Sequence, residues 1–594
     1  MSENFRLKFL KILISLIFFS FMLRLYELQL YRDAEYKKQA QTNSIKALQH
    51  DPIRGLILDR NGKIIVDNAP AYTVIITPYE FDMKNLELLA RILKVDKNYI
   101  VDKIKSAPSP FAQVRIRRDA PISAIAYIEE HRDELKGVDY LIEHKRNYRE
   151  PTVASHILGY VKEITPDMLS VYKGLYKSGD QIGHSGLEKS YELIIKGEKG
   201  YSFVMVDAFG RFVGRYNDGR SDIPPSEGSD LILTIDLELQ SFIEGLFEGK
   251  SGSAVVIDPR NGEILAMVSK PNYDLSSLSG YTPPEFWNSL NNDPRKPLLN
   301  RAITGLYSPG STFKMILAIT ALETGAVDLN WKVYCPGYFV YGNKVFKCHT
   351  SRGHGWVNLT EAIEVSCNVY FYNLMLRVNF DEWSKYGSLF GFGKKTGVDL
   401  LEEVSGILPS TDYFNRVYGV NKWTKGYLIS LAIGQGEISA TPLQMACYAM
   451  ALANYGNYHQ PHLVKKVVNK RTGKVEEVSY YTRQIPVSKQ AFDIVREAMY
   501  LVVNGSNGTG KSARVEGVNV AGKTGTAQNP HGNDHAWFIG FAPYENPEIA
   551  FAIIVENAGF GGAVAAPIAR EIVKKYFELK NQRAEFKLVK WKEE

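Results

Sequence analysis

The sequence predicts a mixed α/β (α+β) chain: a C-terminal five-stranded antiparallel sheet covered by helices, preceded by a smaller α+β unit and one N-terminal transmembrane helix. Three observations predict it. An apolar run opens the chain, two Asn-Gly hairpins lie far apart, and after Asp230 the pattern passes from helix to hairpin, through a long mostly helical stretch, to three strands and a last helix. At 594 residues and 45% hydrophobic the chain is too long for one core and reads as multidomain. Its 71 Lys plus Arg against 65 Asp plus Glu leave a net charge of +6 with the basic residues scattered, so there is no electrostatic footprint for nucleic acid.

Residues 12–23 are unbroken apolar or small between Lys11 and Arg24. That is short for a span of about 20 residues, unless the two cations snorkel and the helix extends over residues 7–30. A cleaved signal peptide is the rival, but Arg24-Leu25-Tyr26-Glu27 offers no small-residue cleavage site. Arg6, Lys8 and Lys11 favour a cytoplasmic N-terminus, although Arg24 and Arg32 weaken the asymmetry, and place the rest outside the cytoplasmic membrane. Next comes a hairpin at residues 55–66 turning on Asn61-Gly62; a second, at 254–267, turns on Asn261-Gly262, and their separation predicts two separately built sheets. Helical patterns at 86–93 and 122–135 read as a small α+β insertion. Residues 183–188 precede an apolar helical run through Ile195, and Pro224-Pro225-Ser226-Glu227-Gly228 reads as a linker. The expected domains are 1–30, a short cytoplasmic segment and anchor; 31–228, a stem with an inserted head at about 79–142; and 229–594. In the last, strands at 518–526, 536–543 and 549–556 join the 254–267 hairpin in one sheet, a helix covers 563–579, and the charged end from Lys580 reads as a solvated tail.

Three fragments carry the chemistry: Ser311-Thr312-Phe313-Lys314, Ser366-Cys367-Asn368 and Lys523-Thr524-Gly525-Thr526. A serine and a lysine three residues apart share a helix face, so the amine can reach the hydroxyl. Alone, that tetrapeptide is a weak signal, and a capping serine beside a surface lysine is the ordinary reading. Here Tyr307-Ser308-Pro309-Gly310 supplies a turn and a helix start. The serine then stands near a helix N-terminus, where free amides favour a developing oxyanion. The three fragments in this order are the established signature of penicillin-binding proteins and class A β-lactamases.

On those motifs the chain resembles a class B penicillin-binding protein, and the resemblance covers nearly the whole chain. Arg54-Gly55 through residue 62, Arg146-Asn147-Tyr148 and residues 183–188 resemble the family's noncatalytic motifs. Gly434-Gln435-Gly436 with Thr441-Pro442 resembles another stretch of its catalytic domain. Lys523 to Gln528 followed by residues 536–543 is most similar to the elongation-specific branch, the penicillin-binding protein 2 group. The resemblance implies a penicillin-recognising transpeptidase domain on an elongated pedestal, a peptidoglycan D,D-transpeptidase of the cytoplasmic membrane acylated by β-lactams. It implies Ser311 as nucleophile, Lys314 as base, Ser366 as proton relay, Asn368 holding Lys314 and the substrate amide, and Lys523, Thr524 and Thr526 binding the terminal carboxylate beside Gly525. The amides of Ser311 and Thr526 then form the oxyanion hole. Implied partners are stem peptides, elongation-complex membrane proteins and a polytopic glycan polymerase of the shape, elongation, division and sporulation family, since no glycosyltransferase motif is found here. No organic cofactor is implied.

Other readings share the serine. A membrane-anchored β-lactamase needs a positioned water, in class A with a glutamate base, and no segment is assignable to that role. A β-lactam sensor needs a cytoplasmic signalling part, for which the N-terminal flank is too short.

Cys335, Cys348, His354 and Cys367 are spaced C-x12-C-x5-H-x12-C, a Cys3His set suited to structural zinc. A Cys335–Cys348 disulfide with a buried Cys367, or three free thiols, are the alternatives. Some relatives in the implied group are zinc-dependent, with His354 and Cys367 matching ligand positions. Cys447 reads as a core residue.

Overall fold

The structure, a computed structural model, describes residues 3–32, 45–207, 212–529 and 532–593. The apolar N-terminal run forms helix α1 (Glu3–Tyr26), continued by a π-helical turn at Glu27–Tyr31. Leu7–Tyr31 is long and apolar enough to cross a membrane, with mean hydropathy 1.9 and no part buried against the protein.

The first Asn-Gly hairpin pairs Ile57–Leu58 with the long strand Ile64–Ile76, whose other edge pairs along its length with Val138–Tyr148. Helices at Leu86–Leu93 and Ile122–Glu130 bury Leu89, Leu93, Ala124 and Ile128 against Val74 and Ile76, forming a small head with its own core. The second helix stops short of the expected residue 135, in turns that bury only Leu135. Arg54 reaches both Glu188 and Glu192 at 2.7 Å, and Arg146 reaches Glu188 at 2.6 Å, which joins the three noncatalytic motifs. The Pro-rich stretch at 224–228 is no free linker: Ser226 bridges Glu198, and a side chain on Gly228 would sit 1.9 Å from the Ile195 carbonyl. Asp230–Leu233 then pairs in parallel with Ile57–Leu58 and antiparallel with Val464–Val468, so one seven-stranded sheet contains strands from both halves of the chain.

In the C-terminal part the order is α2 (Leu237–Leu246), β1 (Gly252–Ile257), β2 (Ile264–Lys270), α3 (Lys314–Glu323), α4 (Asn368–Met375), α5 (Pro442–Ala453), β3 (Ala521–Ala527), β4 (His535–Ala542), β5 (Ile549–Val555) and α6 (Gly561–Glu593). The five strands form one antiparallel sheet ordered β2-β1-β5-β4-β3, which leaves β3 at an edge. Strand alternation sorts the faces. Val255 and Ile257 join the core of α3 and α5, while Ala254 and Val256 pack with Leu239 and Ile243 of α2 and Ala565 and Ile572 of α6. The charged end is not a tail. α6 continues through it, with Lys580 reaching Glu548 at 2.7 Å and Arg583 pairing with Asp236, the residue that caps α2.

Candidate active site

Ser311 lies in a 3₁₀ turn, Gly310–Phe313, and Lys314 is the first residue of α3. Residues three apart in such a turn share a face, which puts the half-buried Ser311 on the side of the fully buried Lys314, although the hydrogen bonds of the Lys314 amine go to Ser366 and Asn368 and not to Ser311. Three backbone segments fix this turn at glycines. Gly310 has φ 58°, and a Cβ there would stand 2.7 Å from the Thr526 carbonyl oxygen; its N–H donates to the Gly434 carbonyl at 2.9 Å. A Cβ on Gly525 would stand 2.8 Å from Thr312. The Trp537 indole N–H holds the Ser308 carbonyl at 3.1 Å, and the Tyr307 hydroxyl donates to Glu556 at 2.6 Å, so β4 and the end of β5 grip the approach to the serine.

Lys314 Nζ donates to the Ser366 carbonyl at 2.9 Å, to Ser366 Oγ at 3.2 Å and to Asn368 Oδ1 at 2.8 Å. From the opposite wall Lys523 Nζ donates to the same Ser366 Oγ at 2.9 Å and to the Thr524 carbonyl at 3.0 Å. Ser366 holds a left-handed conformation, φ 54°, that a non-glycine residue adopts at a cost of about 1 kcal/mol or more. Burial pushes the Lys314 amine down to about 8, the nearby Cys367 and Cys348 acting weakly the other way. Burial and then the charge of Lys314 push Lys523 well below its ordinary value. Two amines thus share one hydroxyl, and among the described residues no carboxylate hydrogen-bonds either of them. At least one is readily neutral near physiological pH.

Thr524 and Thr526 have carbonyls that accept from Lys523 and from Gln435 (Nε2 at 3.1 Å), so both point off the free edge of β3. In an extended strand a residue's N–H and C=O leave on the same side, and the Thr526 N–H therefore faces the Ser311 turn. The Thr524 hydroxyl shares a 2.7 Å hydrogen bond with Thr509. Neither Thr509 nor Gln435 was named as a site residue from the sequence; Gln435 lies in the Gly434-Gln435-Gly436 stretch that resembles part of the family's catalytic domain, and Thr509 carried no signal.

Behind the Ser-x-Asn segment, Cys335, Cys348, His354 and Cys367 bring their ligand atoms within 4.8 Å of one another. Cys335 Sγ and Cys348 Sγ lie 3.5 and 3.6 Å from His354 Nδ1. A tetrahedral site with bonds of about 2.3 Å to sulfur and about 2.05 Å to nitrogen has S···N edges of about 3.6 Å. The donor set therefore fits zinc. All three thiols are free and buried, and His349 is exposed. Cys447 is buried in α5, apart from the cluster. A crevice of about 610 Å³ between α2 and α6, lined by Lys63, Glu150, Phe242 and Lys575, contains none of these residues.

Residues 252–574 match the model of the penicillin-binding protein transpeptidase domain, and residues 49–233 match the penicillin-binding protein dimerisation domain. The chain is 35% identical to the peptidoglycan D,D-transpeptidase MrdA of Salmonella typhimurium, over 93% of each chain. It is a class B penicillin-binding protein. Within that family it falls in the penicillin-binding protein 2 group of peptidoglycan D,D-transpeptidases. Penicillin-binding protein 2 of Helicobacter pylori, solved in complex with MreC, shares 30% identity and aligns with a TM-score of 0.79 over 90% of this chain and 99% of that one. A chain of a peptidoglycan synthase complex that coordinates polymerization and crosslinking aligns with a TM-score of 0.69 at 28% identity, over 96% and 97%. This penicillin-binding protein is thus a transpeptidase with the family's fold, and neither the sensor nor the β-lactamase reading accounts for the match to the dimerisation domain.

Proposed function

We propose that the cross-linking reaction runs through Ser311. Neutral Lys314 takes the Ser311 proton while Oγ attacks the carbonyl of the penultimate D-alanine of a stem peptide. The amides of Ser311 and Thr526 receive the oxyanion, each such donor being worth roughly 3 kcal/mol. As the C–N bond breaks, the Ser366 hydroxyl passes a proton to the departing D-alanine amine and is replenished from the lysine pair. Lys523 with Thr524 and Thr526 binds the terminal carboxylate, and Asn368 holds Lys314 and the substrate amide. An amine of a neighbouring stem peptide then attacks the ester, which releases Ser311 and completes the cross-link. β-Lactams enter as mimics of the donor and stop at the acyl-enzyme. The observation that carries this reading is the sharing of Ser366 Oγ by Lys314 and Lys523. Mass mapping of a β-lactam adduct tests it: the added mass belongs on the peptide containing Ser311, and an adduct elsewhere overturns the assignment.

Cys335, Cys348, His354 and Cys367 would hold a structural zinc ion. Its four positions would be filled by protein, so it supplies no reaction chemistry. What these residues do is turn Cys367 away from the substrate while Ser366 and Asn368 on either side face Lys314. Elemental analysis should give one zinc per chain, and Cys348→Ser should lower both metal content and acylation rate. A metal-free protein with a Cys335–Cys348 disulfide and full activity overturns the zinc reading.

The N-terminal helix anchors the chain once in the cytoplasmic membrane, with residues 31–228 as pedestal and 229–594 as the extracytoplasmic catalytic domain acting in cell elongation. Its partners are elongation-complex membrane proteins and a polytopic glycan polymerase of the shape, elongation, division and sporulation family. The Helicobacter pylori relative bound to MreC and the synthase complex support this assignment. Co-purification of the full chain with such a polymerase from membranes tests it, and recovery without any elongation protein under conditions that retain α1 counts against it.

A further inference from the structure

β3 is the free edge of its sheet, and Thr526 directs both its N–H and its C=O off that edge toward Ser311. A free edge is the surface to which an extended peptide adds by main-chain hydrogen bonds. A donor peptide whose carbonyl carbon sits at Ser311 and whose oxyanion takes the Thr526 N–H runs alongside β3, so its next amide N–H meets the Thr526 carbonyl. That carbonyl is already engaged: the half-buried Gln435 donates to it from Nε2 at 3.1 Å. The backbone that carries Gln435 is pinned at two places. Gly434 packs on Gly310 so tightly that a Cβ would stand 2.2 Å from the Gly310 carbonyl, and the Gln435 N–H donates to the Ser430 carbonyl at 3.0 Å. Its carboxamide is thus a one-bond imitation of the strand that the substrate must add.

We propose that Gln435 is a specificity-determining residue that occupies the amide-acceptor position of the donor site and yields it only to a ligand with an amide N–H at that place. For such a ligand the exchange is one hydrogen bond for another, so its net gain at Thr526 is small. A ligand without the N–H leaves the Gln435 bond in place. When Gln435 is shortened, the Thr526 carbonyl becomes free and selectively rewards amide-bearing ligands. The proposal rests on Ser311 as the acylated residue.

The test compares two β-lactams on the full chain in detergent: a penicillin with a 6-acylamino N–H and a carbapenem whose 6-hydroxyethyl group has no N–H. For Gln435→Ala, the ratio of second-order acylation rates, penicillin over carbapenem, should rise about three- to tenfold, the span of one exchanged hydrogen bond. Gln435→Asn, which keeps a carboxamide but withdraws it by one methylene, should raise the ratio as well. An unchanged ratio, or equal loss for both drugs as a mere brace of β3 would give, overturns the proposal. Failure of both drugs to label Ser311 in the parent chain would instead overturn the site assignment, so the two failures are separable.

Discussion

In the stem, two arginines and two glutamates meet in one buried network, whereas in the active site two lysines meet around a serine hydroxyl. The stem network is balanced. Burial pushes the Glu188 carboxyl up, but Arg146 and Arg54 outweigh it and hold its pKa below the ordinary value. Its charges are fixed, and its geometry joins residues 54, 146, 188 and 192 across long stretches of chain. The lysine pair is unbalanced: burial loosens the protons of both amines, and the charge of Lys314 adds to it at Lys523. Fixed charge makes a joint, and loosely held protons are what the proposed base requires.

Substitutions can break this contrast on the single scale of β-lactam acylation. Ser311→Ala should abolish covalent labelling while circular dichroism and thermal midpoint stay unchanged, and labelling at the parent rate would remove the nucleophile from the scheme. Lys314→Ala should slow acylation by about 10²–10⁴-fold, the range for loss of a positioned base. If Lys314→Ala acylates normally and Lys523→Ala does not, their roles are exchanged. Since the Lys314 amine is lowered to about 8, its neutral form grows with pH up to that point. The acylation rate should therefore rise nearly tenfold per unit from pH 6 toward 8 and then level off. A flat profile would mean that the base is already neutral. In the stem, Glu188→Gln should change acylation less than about twofold, yet leave Arg146 without its carboxylate while Arg54 keeps Glu192, at a cost of about 3 kcal/mol, read as a fall in the unfolding midpoint. A large loss of acylation there with the midpoint intact would make the network part of the chemistry.

What the sequence revealed divides along similar lines. Asn61-Gly62 and Asn261-Gly262 announce their hairpins because that turn chemistry is local, and the three candidate fragments, picked out by residue type and spacing, bring Lys314, Ser366, Asn368 and Lys523 together. Cys367 lies behind the segment that carries Ser366 and Asn368, and not by strand alternation: Ser366 is left-handed and Asn368 opens α4. Contacts formed across long stretches of chain left no such trace. Thr509 reaches Thr524 and Gln435 reaches Thr526 through side chains of ordinary type in loops. The charged stretch after Lys580 looked solvated because its partners, Glu548 and Asp236, lie on distant elements. Likewise the 224–228 stretch has the composition of a linker and the packing of a core.

The parallel pairing of Leu231 with Ile57 and of Ile232 with Leu58 has a practical side. A catalytic fragment beginning at residue 229 would keep every group around Ser311, yet it would carry Asp230–Leu233 with one bare side, displaying unpaired N–H and C=O groups over Leu231 and Leu233. Such a border attracts other chains. Its solubility, more than its chemistry, would then decide whether the excised enzyme can be studied, and supplying residues 55–66 in trans or by fusion should restore a monomer.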